Sequence, residues 1–94
     1  MKSLPPDLVP YQRTREFSEL TLPDALRHRH ATKPGVWGRI SVLEGSLRYR
    51  ILEPAPEEHT LTPQLLGVVE PEIPHEVEPL GKVRFYVEFL RHPE

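Results

Sequence analysis

Three histidines are the side chains of this sequence best suited to bind a metal or a small molecule. His28 and His30 are spaced i, i+2, so an extended backbone would place both on one face. His75 lies much further along the chain, in the segment PEIPHEVEP. Because neutral imidazole is a common metal ligand, we predict that His30 and His75 converge as ligands, with His28 at the edge of the same pocket. The alternative is that His30 is a loop histidine and that His75 is a hydrogen-bonded core residue.

A carboxylate would have to complete such a site, and Glu44 is the candidate. Alternation along the strand puts Glu44 on the same face as Ile40 and Val42, where an unpaired charge would be costly to bury. Two imidazoles and one carboxylate leave coordination positions open for water or substrate, as in sites that hold Zn or non-haem Fe(II). The competing interpretation is that Glu44, directly before Gly45, lies in a solvated turn.

Four more residues are predicted to line the pocket: Arg39, Trp37, Tyr86 and Glu88. Arg39 beside Trp37 could clamp an anion, because a guanidinium binds carboxylates and oxyanions in a fork. The other interpretation of Glu88 is a surface ion pair with Arg84, which shares its face. The ligand that these residues imply is a small molecule or a small anion.

Composition excludes several classes of function. Twelve Lys and Arg residues against fourteen Asp and Glu residues give a formal charge of -2, so we expect no nucleic-acid partner. The chain has no cysteine, and a metal would therefore need histidine and carboxylate ligands. No segment approaches the roughly 20 apolar residues of a membrane span. We expect a soluble, cytoplasmic protein without a membrane partner.

Proline dominates the prediction of the fold, because twelve prolines leave few windows for a helix and favour short strands joined by turns. Residues 1–94 are expected to form one domain, with 1–12 as an extended N-terminal arm and 53–60 as a mobile loop. Strands are predicted at 13–17, 35–44, 46–51, 65–69, 75–78 and 82–90, with a helical turn at 21–26. Turns are predicted at Lys33-Pro34-Gly35 and, as a hairpin, at Gly45-Ser46. The expected class is all-β, a small antiparallel barrel or two-sheet sandwich of the jelly-roll type.

The sequence resembles a known family in several ordered segments. VLEGSLRY, followed further along by VVEPEIPHEVEP, resembles the two half-motifs of the cupin barrels. LPDALRHRHATKPGVWGRISVLEG together with VRFYVEF is similar to the small tellurite-resistance TehB/YeaR-like domain. In that family the domain occurs alone or ahead of a methyltransferase, and no methyltransferase follows in these residues. The resemblance implies a cupin-like domain over residues 11–92 and marks His30 more strongly than His28.

The sequence departs from the wider cupin pattern at two places. Gly38 lies about where the first half-motif has a glutamate, and Ile73 or Pro74 stands where the second has a glycine. The resemblance therefore implies the cupin-like barrel without the complete set of three histidines and one glutamate.

Two classes of function stay open, and the sequence does not decide whether the protein is an enzyme. The first is a cupin-like domain that binds or acts on a small anion or metabolite, with a divalent metal, Zn or Fe, held by His30, His75 and a carboxylate. The second is a non-catalytic, dimeric binding or sensing module whose histidines are structural. A serine hydrolase is disfavoured, since no serine follows the pattern of a strand-to-helix elbow. We expect a homodimer, because a small barrel exposes edge strands.

Overall fold

Six strands and one short helix make up the regular structure of this chain. The computed structural model describes residues 1–94. The elements are, in order, β1 (Val9–Arg13), β2 (Phe17–Ser18), α1 (Asp24–Arg27), β3 (Trp37–Ile51), β4 (Glu57–Leu61), β5 (Gly67–Val69) and β6 (His75–Arg91). The all-β class predicted from the prolines and the alternation is confirmed. The helix has four residues, which is far too few to cross a bilayer.

The strands form a single antiparallel sheet around one central pair. β3 and β6 pair along most of their length, from Trp37 opposite Leu90 to Ile51 opposite His75. β1 and β2 pair with the other edge of β6, and β4 and β5 pair with the other edge of β3. The sheet is therefore open, with free edges at β1 and β4, instead of the closed barrel or two-sheet sandwich expected from the sequence.

β3 continues through Gly45-Ser46, where the sequence predicts a hairpin turn. Gly45 has a φ of +81°, and a Cβ built on it would lie 2.0 Å from the carbonyl oxygen of Lys82. The pairing shifts at this point, so that Ser46 faces the extra residues Leu80–Lys82 of β6. The glycine thus serves a bulge between two long strands and not a turn. The extra residues of β6 at this bulge join the two strands predicted at 75–78 and 82–90 into one strand.

A second irregularity in β3 changes which residues point inward. The register shifts between Val42 and Glu44, and simple alternation does not carry across such a shift. Ile40 and Val42 are buried before the shift, whereas Leu47 and Tyr49 are buried after it. Glu44, predicted to share the face of Ile40 and Val42, is exposed instead.

The inner face of the sheet, defined as the face that carries Ile40 and Val42, holds one cluster of buried apolar side chains. The cluster has twelve members, contributed by β2 to β6 and by Leu22 just before α1. Phe85 of β6 is fully buried within it. Leu26 of α1 packs against the cluster, so the short helix covers part of the inner face.

Two segments predicted to be irregular contain strands. The predicted arm, 1–12, contributes most of β1, which pairs with the end of β6. The predicted loop, 53–60, contains most of β4, which pairs with Leu47 to Ile51 of β3. Proline and glutamate are poor strand formers, so local propensity missed both segments. They are strands because long-range pairing with the central strands satisfies their backbone groups.

Candidate functional site

A cleft of about 180 Å³ lies on the inner face of the sheet, beside α1. Seven apolar side chains line it: Phe17, Leu26, Ile40, Val69, Val77, Val87 and Phe89. The polar side chains in its wall are Thr14, His30, Thr32 and His75. A concave, mostly apolar cavity with a few polar groups is the usual form of a small-molecule site.

His30 and His75 lie side by side in the wall of this cleft. They form an isolated antiparallel bridge, in which the His30 N–H donates to the His75 carbonyl at 2.9 Å and the His75 N–H donates to the His30 carbonyl at 2.8 Å. Their ring centroids are 5.5 Å apart in an edge-to-face arrangement. The structure thus brings together the two histidines that the sequence nominated, although they are far apart in the chain.

His75 is held neutral and has one free ring nitrogen. Burial lowers its pKa below the usual 6.5; the Ile73 carbonyl opposes this shift, and charge on His30 adds to it. Nδ1 lies 3.1 Å from the Ile73 carbonyl oxygen, so Nδ1 carries the hydrogen and donates it. Every fully buried side-chain nitrogen and oxygen in the structure has a partner. Nε2, which has none, is therefore not fully buried, and His75 is one of the residues that line the cleft.

The two threonine hydroxyls of the cleft are already committed as donors. Thr14 Oγ1 donates to the Arg15 carbonyl at 2.8 Å and accepts from the Val87 N–H at 3.0 Å. Thr32 Oγ1 donates to the Val36 carbonyl at 2.7 Å. These bonds hold the loops that form the wall. The group best suited to approach the free imidazole nitrogen is consequently a hydroxyl or an N–H of a ligand.

A buried tyrosine supports the ring of His75 from behind. The Tyr49 ring centroid is 5.9 Å from that of His75, and the Tyr49 hydroxyl donates to the Val68 carbonyl at 2.9 Å. Burial raises the pKa of Tyr49, and the carboxylates of Glu70 and Glu57 raise it further. The phenol therefore stays protonated, and its hydrogen is used within the fold.

Glu44 does not complete a metal site with the two histidines. It is exposed and in register with Arg84, whose Nε lies 3.6 Å from its Oε1. The bulge in β3 explains this position, because it turns Glu44 away from the inner face. No group of three or more His, Cys, Asp or Glu side chains could hold a metal ion. The prediction of a divalent-metal centre, with Zn or Fe held by His30, His75 and Glu44, is therefore wrong.

Arg39, Glu88 and Tyr86 lie on the outer face of the sheet and not in the cleft. Arg39 opposes Glu88 in the register, and its Nε and Nη2 each lie 2.9 Å from Glu88 Oε1. The guanidinium of Arg13 lies 4.0 Å from the centroid of the Tyr86 ring. Arg39 is thus already paired with a carboxylate, and this pairing removes the free guanidinium on which the predicted anion clamp depended.

Trp37 and His28 also lie outside the cleft. Trp37 begins β3 opposite Leu90, and His28 caps the C-terminus of α1. Sequence reasoning missed Thr32 and Leu26 as wall residues. The signals for both were present, since Thr32 precedes the turn at Lys33-Pro34-Gly35 and Leu26 lies in the predicted helical turn.

The fold and the cleft define an all-β domain with a mostly apolar cavity on the inner face of its sheet. A family model of the TehB-like domain matches residues 12–87. The chain belongs to the TehB-like domain family, and the resemblance seen in the sequence is confirmed.

Two curated relatives and two solved structures are similar to this chain. The chain is 33% identical over 79 residues to the probable S-adenosyl-L-methionine-dependent methyltransferase TehB of Haemophilus influenzae strain Rd, and 32% identical to the protein of the same name from strain 10810. Each match covers 80% of this chain but only 28% of the relative. The crystal structure of TehB from Haemophilus influenzae matches with a TM-score of 0.84 at 28% identity, over 93% of this chain and 32% of that one. A crystal structure of a protein from E. coli (strain K12) matches with a TM-score of 0.90 at 25% identity, over 100% of both chains.

The names of the relatives point to S-adenosyl-L-methionine and not to the divalent metal that the sequence predicted. The cleft of this chain does not fit that cofactor. S-adenosyl-L-methionine carries a sulfonium cation, ribose hydroxyls and an amino-acid group, and these need polar or acidic partners when they are buried. Seven of the thirteen residues that line the cleft are apolar, and none is a carboxylate. A smaller and less polar molecule suits it better.

Proposed function

We propose that this domain is a non-catalytic binding module whose inner-face cleft holds a small, largely apolar molecule. The proposal rests on one observation: Nε2 of His75 is a free hydrogen-bond acceptor in a neutral ring, set in a mostly apolar wall. This acceptor has no partner within the chain. A ligand that donates a hydroxyl or an N–H to Nε2 and buries its apolar surface in the cleft would provide that partner.

The proposal is cupin-like in that an inner sheet face binds the ligand, but it involves no metal. The ring of His75 is positioned by the carbonyl of Ile73, by the edge contact with His30 and by the ring of Tyr49. Three fixed neighbours leave the imidazole little freedom, so a ligand would find its acceptor already oriented. In this arrangement His30 is a supporting residue.

The comparisons support a role that does not depend on an attached catalytic domain. Methyl transfer is named for the Haemophilus influenzae relatives, of which this chain spans 28%. The E. coli structure matches this chain over 100% of both, so the same fold makes up a complete solved chain elsewhere. We propose that binding is the contribution of this fold, whether or not a catalytic domain accompanies it.

The test is a small-molecule screen by NMR on isotope-labelled protein, comparing the wild type with Leu26→Trp. Leu26 lines the cleft and is only half-buried, so an indole at this position should fill the cavity without disrupting the core. Compounds that shift the amide resonances of Val69 and Val77 in the wild type should not shift them in Leu26→Trp. Leu43→Trp, at an exposed position of β3, is the matched control and should bind like the wild type. Hits that bind Leu26→Trp undiminished would disprove the proposal.

The homodimer and the cytoplasmic location predicted from the sequence are also proposals. All five residues of the edge strand β1 are exposed, including Val9 and Tyr11. An exposed edge with apolar side chains favours pairing with a second copy. Sedimentation should then show a species of twice 10.9 kDa, and a monomer at high concentration would contradict the dimer.

A further inference from the structure

A second cavity, of about 250 Å³, adjoins the cleft. The two cavities share three wall residues, His30, Thr32 and Phe89. The second one is more polar, since Gln12 and Lys33 are in its wall. A molecule that extended from the cleft past the shared residues would thus pass from apolar to polar surroundings.

The backbone at Lys33 is fixed by a tight turn. The Val36 N–H donates to the Lys33 carbonyl at 3.1 Å, and Gly35 has a φ of +76° behind Pro34, as a type II turn requires. The bond from the Thr32 hydroxyl to the Val36 carbonyl closes the same turn from the cleft side. The root of the lysine side chain is therefore held in the wall of the second cavity, next to the shared wall residue Thr32.

The charge around the two cavities is unbalanced. Neither cavity has an aspartate, glutamate or arginine in its wall, and Lys33 is the single lysine. Lys33 makes no ion pair, whereas Lys2 lies 3.3 Å from Glu70. A ligand group placed in the second cavity would thus meet a cation that no protein carboxylate neutralises.

We infer that the ligand of the cleft is a small monocarboxylate, with its apolar body and its donor to Nε2 of His75 in the cleft and its carboxylate beside Lys33. This inference rests on the proposed function and adds the class of ligand to it. One cation matches one negative charge, and the apolar wall disfavours a second charge because desolvation would be costly. A ligand cation would meet Lys33 with the same sign and no carboxylate to attract it.

The test isolates the head group by comparing hexanoate, hexanol and hexylammonium, which share one alkyl chain and carry no second polar group for Nε2 of His75. Dissociation constants come from NMR titrations of the full chain, followed at the amides of Val69 and Lys33. Hexanoate should bind about three- to fivefold more tightly than hexanol, the size expected for one exposed ion pair, and hexylammonium should bind most weakly. Added salt should reduce the advantage of hexanoate.

Lys33→Gln should bring the dissociation constant of hexanoate to that of hexanol and leave hexanol unchanged. The matched control is Lys82→Gln. Lys82 is also an exposed lysine without an ion pair, but it belongs to the extra residues of β6 opposite Ser46 and is in the wall of neither cavity. It should keep the preference for hexanoate. Equal binding of hexanoate and hexanol in the wild type, or an undiminished preference in Lys33→Gln, would overturn the inference while the proposed function stands. If uncharged compounds shift the amide resonances of the cleft and no carboxylate does, the inference is likewise overturned and the proposed function stands.

Discussion

The inner and outer faces of the sheet carry different chemistry, although the same strands build both. On the outer face, charged side chains pair across strands. Arg39 lies 2.9 Å from Glu88, and Arg48 lies 2.7 Å from Glu58 and 2.8 Å from Glu78. The inner face is apolar apart from a few groups at the cleft, and one of these, Nε2 of His75, has no partner within the chain.

This difference shows that reactive residue types alone do not locate a site. The outer face has most of the residues that a search for chemistry would select, yet its carboxylates and guanidinium groups neutralise each other. The cleft has few polar atoms, but hydrogen bonds and ring contacts hold them in fixed positions. An available polar atom in an apolar wall is therefore a better sign of binding than a high density of charge.

The largest difference in the free energy of unfolding should be between variants of two adjacent residues of β6, Phe85 on the inner face and Tyr86 on the outer face. Phe85→Ala removes a fully buried ring that packs against Phe17 at 5.7 Å between centroids, and we expect a loss of about 3–5 kcal/mol in the free energy of unfolding. Tyr86→Ala on the outer face removes a half-buried ring and its contact with Arg13, for a loss of about 1 kcal/mol. Urea denaturation measures both. Equal losses would contradict the assignment of the two faces.

A smaller change in the free energy of unfolding is expected at the bulge, where Ser46 of β3 faces residues 80–82 of β6. Two glycines there have a positive φ but different surroundings. Gly45→Ala should cost about 2–3 kcal/mol, because the new Cβ would lie 2.0 Å from the Lys82 carbonyl oxygen and the residue has a φ of +81°. Gly81→Ala is the control. It has a φ of +85° but nothing within 4 Å of the new Cβ, so its cost should be about 1 kcal/mol. Chemical denaturation of both variants should give this order, and the reverse order would show that the bulge is misplaced.

Acid should lower the free energy of unfolding of the protein, and His75 is the residue responsible. Burial holds its pKa in the folded protein below the usual 6.5, so the unfolded chain binds the proton more readily as the pH falls. The contribution of His75 to the free energy of unfolding is thus fully present above about pH 6.5 and decreases as the pH falls towards the folded pKa.

His75→Gln removes this titration and keeps a polar side chain. Its free energy of unfolding should therefore fall less than that of the wild type between about pH 7 and pH 5. Urea denaturation at several pH values gives the two dependences. If the pH dependences of the wild type and His75→Gln are parallel, the pKa of His75 is not lowered in the folded protein.

The smallest effect is expected for an outer-face ion pair. A double-mutant cycle of Arg39→Met and Glu88→Gln should give a coupling energy of about 0.5–1 kcal/mol, because both side chains are partly exposed. The coupling should weaken in about 1 M salt, where charges are screened over a few ångströms. A coupling well above this range would mean that the outer face contributes more to stability than its exposure implies.

Two glycines show which turns could be predicted from the sequence. The turn at Lys33-Pro34-Gly35 formed as predicted, because its hydrogen bond joins residues three apart and its geometry depends on proline and glycine alone. Gly45 has the same positive φ, and the sequence predicted a hairpin there. Whether a glycine makes a turn or a bulge depends on the opposite strand, and residues 80–82 are distant in the sequence.

The sequence by itself determined the all-β class, the family, and the alternation of apolar and polar residues within each regular stretch, because these depend on composition, motifs and short periods. It also nominated His30 and His75, which the structure brings together. Only the tertiary structure decided that Glu44 faces outward, that β3 and β6 are each continuous, and that Lys33 lies in the wall of a cavity beside the cleft. The physical reason is that strand register is set by pairing between distant segments, and a single bulge reverses the face of the residues that follow it.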